Sequence, residues 1–331
     1  MMRTLAVWTG VCAVAFGTAV DFSAQGRADG QAAAPVPVHL RAVNERFAGV
    51  WKLVGEESRD ASGELVPIPS AALSGRIGYI TYDPAGYMGV VLAWVAQPRY
   101  AARPTPEEAQ TALTRYNSYW GSFTINESAG VVTHQTFGAL MPSFAGTNQE
   151  RRFTITGNRL SLRPPAAANG DQRTLTWERV PDLPTLTPTH RKLIGFWKLI
   201  GMGRRNAKGE TQALNPGQTG FIVYTASGHV MVHLMQPYRR RNVGVTPTPD
   251  ETLATYRSYT SYFGPYTVNE SGQFLTHHLD AAFNATAPAG SDFQRFYEFS
   301  ANRLTLKTPP TKDANGNDTQ LTITWERLST P

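Results

Sequence analysis

The chain has 331 residues, 41% of them hydrophobic and 17% charged, which is ordinary globular composition with length enough for two cored domains. A formal net charge of +6 marks a basic surface that favours anionic partners in general and names none. The only cysteine, Cys12, lies in an N-terminal apolar run, so once that run is removed the chain has no disulfide, no thiol nucleophile and no Cys-ligated metal.

The chain opens MMRTLAVWTGVCAVAFGTAVDFSAQG: Arg3, an apolar run from Leu5 to Val20, then small residues. This is the layout of a secretory signal covering 1–24, with cleavage near Ala24 and a secreted or periplasmic product. The run is shorter than the roughly 20 residues of a membrane span, so no stable membrane insertion is expected. Val11 before Cys12 argues against a lipid-attachment site. Residues 25–45, rich in Ala, Gly and Pro, read as a flexible leader.

Two copies of one unit follow, at 46–180 and 191–331, separated by a Pro-rich linker at 181–190. GVWKLVG at 49–55 matches GFWKLIG at 195–201, and GYITYDPAG at 78–86 matches GFIVYTASG at 220–228. RYNSYWGSFTINES at 115–128 matches RSYTSYFGPYTVNES at 257–271, and LTWERV at 175–180 matches ITWERL at 323–328. Each copy is mostly short runs with partial alternation, separated by turn residues such as DASGE and DPAG. One helix interrupts the series, predicted over 105–120 and again over 248–263. Thr105, Pro106 and Glu108, repeated as Thr248, Pro249 and Glu251, form its capping box. Ala109, Leu113, Tyr116 and Trp120 are spaced along its apolar side. About eight antiparallel strands and one helix per copy predict an all-β chain of two tandem closed barrels.

Each copy begins its first strand with Gly-x-Trp (Gly49 and Trp51, Gly195 and Trp197) and ends its last with an arginine (Arg179, Arg327). That resembles the lipocalins, and the ordered set of matched segments is more specifically similar to the bacterial and fungal lipocalin-like domain family. The resemblance implies that the tryptophan closes the barrel base with the arginine over it. It also implies a small-molecule pocket, with no defined chemistry.

In FLTHHLDAAF (274–283), Leu275, His277, Leu279, Ala281 and Phe283 share an apolar face, which places His277 in the barrel interior. His134 in VVTHQTFGAL (131–140) matches it. On the next strand Arg151 alternates with Phe153 and Ile155, and Arg295 with Tyr297 and Phe299. Each barrel is thus expected to present one His and one Arg to its lumen, side by side or diagonal across the ladder. Glu127 and Glu270 are candidate partners for the arginines, and Tyr116, Tyr119, Tyr259 and Tyr262 are placed to reach inward from the helix ends.

Two readings follow. In one, Arg, His and Tyr form a satisfied polar cluster that fixes strand register. In the other, His134, Arg151, Tyr119, His277, Arg295, Tyr262 and Tyr297 line ligand sites for a small hydrophobic or amphipathic, anionic molecule. The alternative chemistry for the same residues is a cofactor-free isomerase, cyclase or hydratase. No metal or cofactor is expected, since the chain has no HExxH, CxxC or GxSxG motif and no Gly-rich phosphate loop. His229 and His233 face away from Val230, Val232 and Leu234 and are not read as metal ligands. Arg239, Arg240 and Arg241 read as a solvated loop rather than a nucleic-acid site; at a barrel mouth they would concentrate anionic ligands.

Overall fold

The computed structural model describes residues 44–67, 75–94, 103–206, 208–244, 246–284, 289–313 and 316–328. The signal, and the leader apart from Asn44 and Glu45, lie outside the described residues. Nine strands build the first copy: β1 (Gly49–Arg59), β2 (Leu65–Val66), β3 (Arg76–Tyr82), β4 (Tyr87–Trp94), β5 (Tyr116–Asn126), β6 (Val131–Ala139), β7 (Asn148–Thr156), β8 (Arg159–Arg163) and β9 (Gln172–Arg179). All pair antiparallel in the order β1-β3-β4-β5-β6-β7-β8-β9, and β9 returns to β1, so eight strands close a barrel and β2 is a short annex on β1.

The second copy repeats this with β10 (Gly195–Asn206), β11 (Thr211–Ala213), β12 (Thr219–Tyr224), β13 (His229–Met235), β14 (Tyr259–Asn269), β15 (Phe274–His278), β16 (Ala281–Ala282), β17 (Asp292–Ser300), β18 (Arg303–Lys307), β19 (Thr311–Lys312) and β20 (Asp318–Arg327). Strands β10-β12-β13-β14-β15-β17-β18-β20 close on β10. Closure leaves few exposed strand edges. Helices α1 (Pro106–Thr114) and α3 (Pro249–Arg257) carry the expected capping boxes, and α2 (Pro188–Leu193), N-capped by Thr187, ends the linker.

The helices are shorter than predicted. From Tyr116 the chain is strand β5, paired with β4 and β6, and from Tyr259 it is β14. Barrel closure decides this: the aromatic-rich stretch that continues the helical spacing also alternates, and as a strand it satisfies its backbone in two ladders. Tyr119 and Tyr262 therefore reach the lumen from strands, not from helix ends.

The base of each barrel is closed by tryptophan and arginine. Trp51 is fully buried, its Nε1 donating to the Phe47 carbonyl at 2.7 Å, with the Arg179 guanidinium 4.0 Å from the ring centroid. Trp197 repeats this with Leu193 at 2.7 Å and Arg327 at 4.0 Å. The glycine of Gly-x-Trp has two reasons to be glycine. Gly49 and Gly195 have φ of +113° and +126°, and a Cβ there would lie 3.0 Å from Arg179 Nη1 and 2.8 Å from Arg327 Nη1. Gly195→Ala is expected to destabilise by about 2 kcal/mol from backbone strain alone. Urea unfolding measures it, and an unchanged midpoint would contradict the role of that backbone.

The barrels lie in one compact unit and share a core. The outward face of β4, β5 and α1 packs on that of β13, β14 and α3, burying Tyr116, Trp120, Phe221, Met231, Tyr259, Phe263 and Phe283. The contact is reciprocal. Tyr116 Oη lies 3.2 Å from Ser261 Oγ, and Ser118 Oγ donates to Tyr259 Oη at 2.9 Å. Since Tyr116 and Ser118 match Tyr259 and Ser261 in the repeat, the two bonds are related by an approximate twofold, as in an isologous dimer. His233 completes this seam: its Nδ1 lies 2.9 Å from Tyr259 Oη, and its ring stacks on Trp120 at 5.6 Å. Gly89 lets the seam close on this face, because a Cβ there would meet Phe221 at 2.8 Å and Met231 at 3.0 Å.

Arg239 is not part of a solvated loop. Its guanidinium donates to the carbonyls of Ala139 and Leu140 in the first barrel, and Nε donates to Ser258 Oγ at 2.8 Å. Burial pulls its pKa down to about 10. Cleaving the linker within 181–187 is accordingly expected to leave the two halves as one species in size-exclusion chromatography. Separate elution of two folded halves would contradict a shared core.

Candidate binding site

His134 and His277 face the lumen with no exposed surface. Each imidazole lies between two tyrosines. His134 Nε2 is 2.8 Å from Tyr82 Oη and Nδ1 is 3.0 Å from Tyr119 Oη; for His277 the partners are Tyr224 at 2.8 Å and Tyr262 at 2.9 Å. Burial, with the neighbouring arginine second, holds both imidazoles well below the usual histidine range. Burial thus favours the neutral imidazole in both. Burial likewise raises the pKa of all four tyrosines.

The arginines lie diagonally from the histidines. Arg151 pairs with Val132 and Gln149 with His134, while Arg295 pairs with Leu275 and Phe293 with His277. Arg295 Nη1 donates to the Gln294 carbonyl at 2.8 Å, its guanidinium lies 4.9 Å from the Phe293 ring, and its charge acts on the nearby Tyr262 hydroxyl. Arg151 repeats this with the Glu150 carbonyl at 2.7 Å and with Tyr119. In a neutral imidazole one ring nitrogen donates and the other accepts, so of the two tyrosines on each histidine one gives a proton to the ring and the other receives one from it.

Glu127 and Glu270 do not partner the arginines. Glu127 pairs with Arg46 at 2.6 Å, and Glu270 accepts from Thr189 Oγ1 at 2.6 Å, both near the closed end. Tyr297 is also separate from the His–Arg cluster: its hydroxyl lies 3.2 Å from Thr189 Oγ1 and its ring packs on Phe299. Neither Arg151 nor Arg295 forms an ion pair among the described residues.

The lumen of the second barrel contains a cavity of about 480 Å3 whose wall includes Tyr262, Phe293, Arg295 and Trp325 together with Ile222, Val232, Leu234, Leu306 and Ile323. Arg257, Gln236, Gln218 and Asn284 also border it. Three buried polar atoms in this wall have no partner among the described residues: Trp325 Nε1, Gln218 Oε1 and Asn284 Oδ1. The arrangement is a largely apolar chamber with the Arg295 guanidinium in its wall, the exposed Arg257 at its border and a few uncommitted polar atoms, the usual make-up of a small-molecule site. No group of three or more His, Cys, Asp or Glu side chains is placed to hold a metal ion among the described residues. His229 and His233 face the inter-barrel seam, where His229 packs on Tyr79.

Tyr82 and Tyr224 are the site residues that sequence reasoning missed. The signal was available: they occupy the same place in the matched segments GYITY and GFIVY, in alternation with inward Ile80 and Ile222.

Closed eight-stranded antiparallel barrels with a Trp–Arg base and a polar-spotted lumen are those of a lipocalin-type barrel protein. The lipocalin-like domain model matches residues 48–180 and again 194–328, and the chain belongs to that family. No curated protein sequence matches it. Among solved structures it is similar to a protein of unknown function from Nostoc punctiforme, at 10% identity and TM-score 0.23, covering 87% of this chain and 99% of that one. A putative outer membrane protein from Bacteroides fragilis matches at 8% identity and TM-score 0.23, covering 86% and 99%. A mutant of transferrin binding protein B from Haemophilus parasuis matches at 7% and 0.22, covering 85% and 77%. Likeness at that level assigns nothing to this chain.

Proposed function

We propose that the chain is an exported binding protein for small amphipathic anions, held in the lumen of the second barrel with the acidic group on Arg295. The observation that carries this reading is a half-buried guanidinium without a carboxylate partner on the wall of an apolar cavity. Partial burial of an unpaired charge costs free energy, which an anionic ligand head would offset. Tyr262 and the Trp325 N–H supply further hydrogen-bonding positions. His134 and Arg151 repeat the pair in the first barrel.

Binding is favoured over catalysis. Both nitrogens of His277 are taken by tyrosines and the ring has no exposed surface, so it has no direct path to a ligand proton. Native mass spectrometry of the secreted protein, followed by extraction, tests the reading. It expects a co-purifying acid that is absent from the Arg295→Met variant. Recovery of the same compound from both would contradict it.

A further inference from the structure

Where the second barrel opens, the chain leaves the cavity at Gln236 and makes a loop over 237–243. Two of its residues project fully into water: Tyr238 is 96% exposed and Val243 98%. Tyr238 also has a φ of 58°, left-handed backbone that a bulky residue adopts at a cost. Between them Arg240 and Arg241 are exposed, and neither has a carboxylate partner among the described residues. The nearby acids are Asp250 and Glu251, and Glu251 is committed to capping α3 and to the Val243 N–H at 2.8 Å. The Arg239 clamp ties down the other end. The loop is thus held open with its apolar tips outward, and no described residue covers them.

We infer that this loop is a docking lip for an anionic lipid surface. Two apolar tips with two cations between them fit a bilayer interface, where the tips enter below the phosphate plane and the guanidinium groups remain at it. An acidic peptide would satisfy the arginines and leave Val243 in water. Docking would set the barrel mouth against the surface, so that an amphipathic molecule enters with little passage through water. The inference rests on the loop and not on the lumen reading.

Vesicle co-sedimentation of the full chain tests it, using phosphatidylcholine vesicles with and without phosphatidylglycerol. Binding is expected only with the anionic lipid, and weaker at high salt. Arg240→Gln with Arg241→Gln should lower partitioning by about thirtyfold, from roughly 1 kcal/mol per cation. Tyr238→Ser with Val243→Ser should lower it at least severalfold, and Arg295→Met should leave it unchanged. Equal binding to neutral vesicles, or no loss in either double variant, would overturn the proposal. So would binding of soluble polyglutamate that needs the arginines and ignores the Tyr238 and Val243 changes, which would assign the lip to an acidic protein.

Discussion

Lowering the pH from about 7 to about 5 is expected to remove several kcal/mol, on the order of 2 or more, of unfolding free energy. The source is His134, His277 and His233, all fully buried, with pKa values held well below 6.5 by desolvation; for His233 the value falls to about 3. The sign follows from proton counting. In this window the unfolded chain binds a proton at each of these histidines and the folded chain does not, so stability falls as the pH drops below 6.5. His233, at about 3, contributes about 2 kcal/mol over the interval, and His134 and His277 add to it in the same direction. Asp83 and Asp280, whose carboxyls burial pushes up, act in the opposite direction as the pH falls through their raised values. Domains of this kind have about 5–15 kcal/mol in total, so loss of the fold near pH 4–5 is expected. Urea titrations across the range measure it. His233→Phe, which keeps a ring in the Trp120 stack, should reduce the slope. A pH-independent midpoint between 7 and 5 would mean that these imidazoles do protonate in the fold.

Trp51→Ala is expected to cost about 3–5 kcal/mol, the usual loss for a large buried aromatic. It removes the base of the first barrel: a fully buried indole, its bond to the Phe47 carbonyl, and the face on which Arg179 rests. Arg179→Gln should cost less. The cation–π attraction is worth roughly 0.5–2 kcal/mol, and the rest comes from guanidinium bonds to the Ala48 and Arg46 carbonyls. Because the barrels share a core, Trp51→Ala should lower the stability of the whole chain. The check is chemical denaturation followed by fluorescence and by circular dichroism. A loss below that of Arg179→Gln would contradict the closure.

Much of this was legible in the sequence, and the parts that were not share a cause. Alternation identified one face of each strand, and duplication showed that Trp51, His134 and Arg151 recur as Trp197, His277 and Arg295. Alternation says nothing of what covers the outer face. Tyr116, Ser118 and His233 therefore gave no sign that they form a seam between barrels. It also fails at an irregular ladder. Tyr266 pairs with His277 but Tyr262 with Ala282, so one extra residue lies between and the parity reverses. Leu275, His277 and Leu279 face inward as expected. Ala281 and Phe283 instead turn to the inter-barrel core, and Ala282 takes the lumen position. The partners of Glu127 and Glu270 were misjudged because closeness along the strands does not reveal which end of the barrel they occupy.

The central claim is that Arg295 holds the charged head of a ligand in the second barrel, and one titration tests it most directly. A long-chain carboxylate and the alcohol of equal chain length are titrated into the wild-type chain and into Arg295→Met, with melting temperature recorded on the same samples. The wild type should prefer the acid, and the variant should stay folded but bind it about 2–5 kcal/mol more weakly, as for a desolvated charge pair. Affinity for the alcohol should change little. Equal acid affinity in the two proteins, with only stability altered, would contradict the account and leave Arg295 as a residue that fixes strand register.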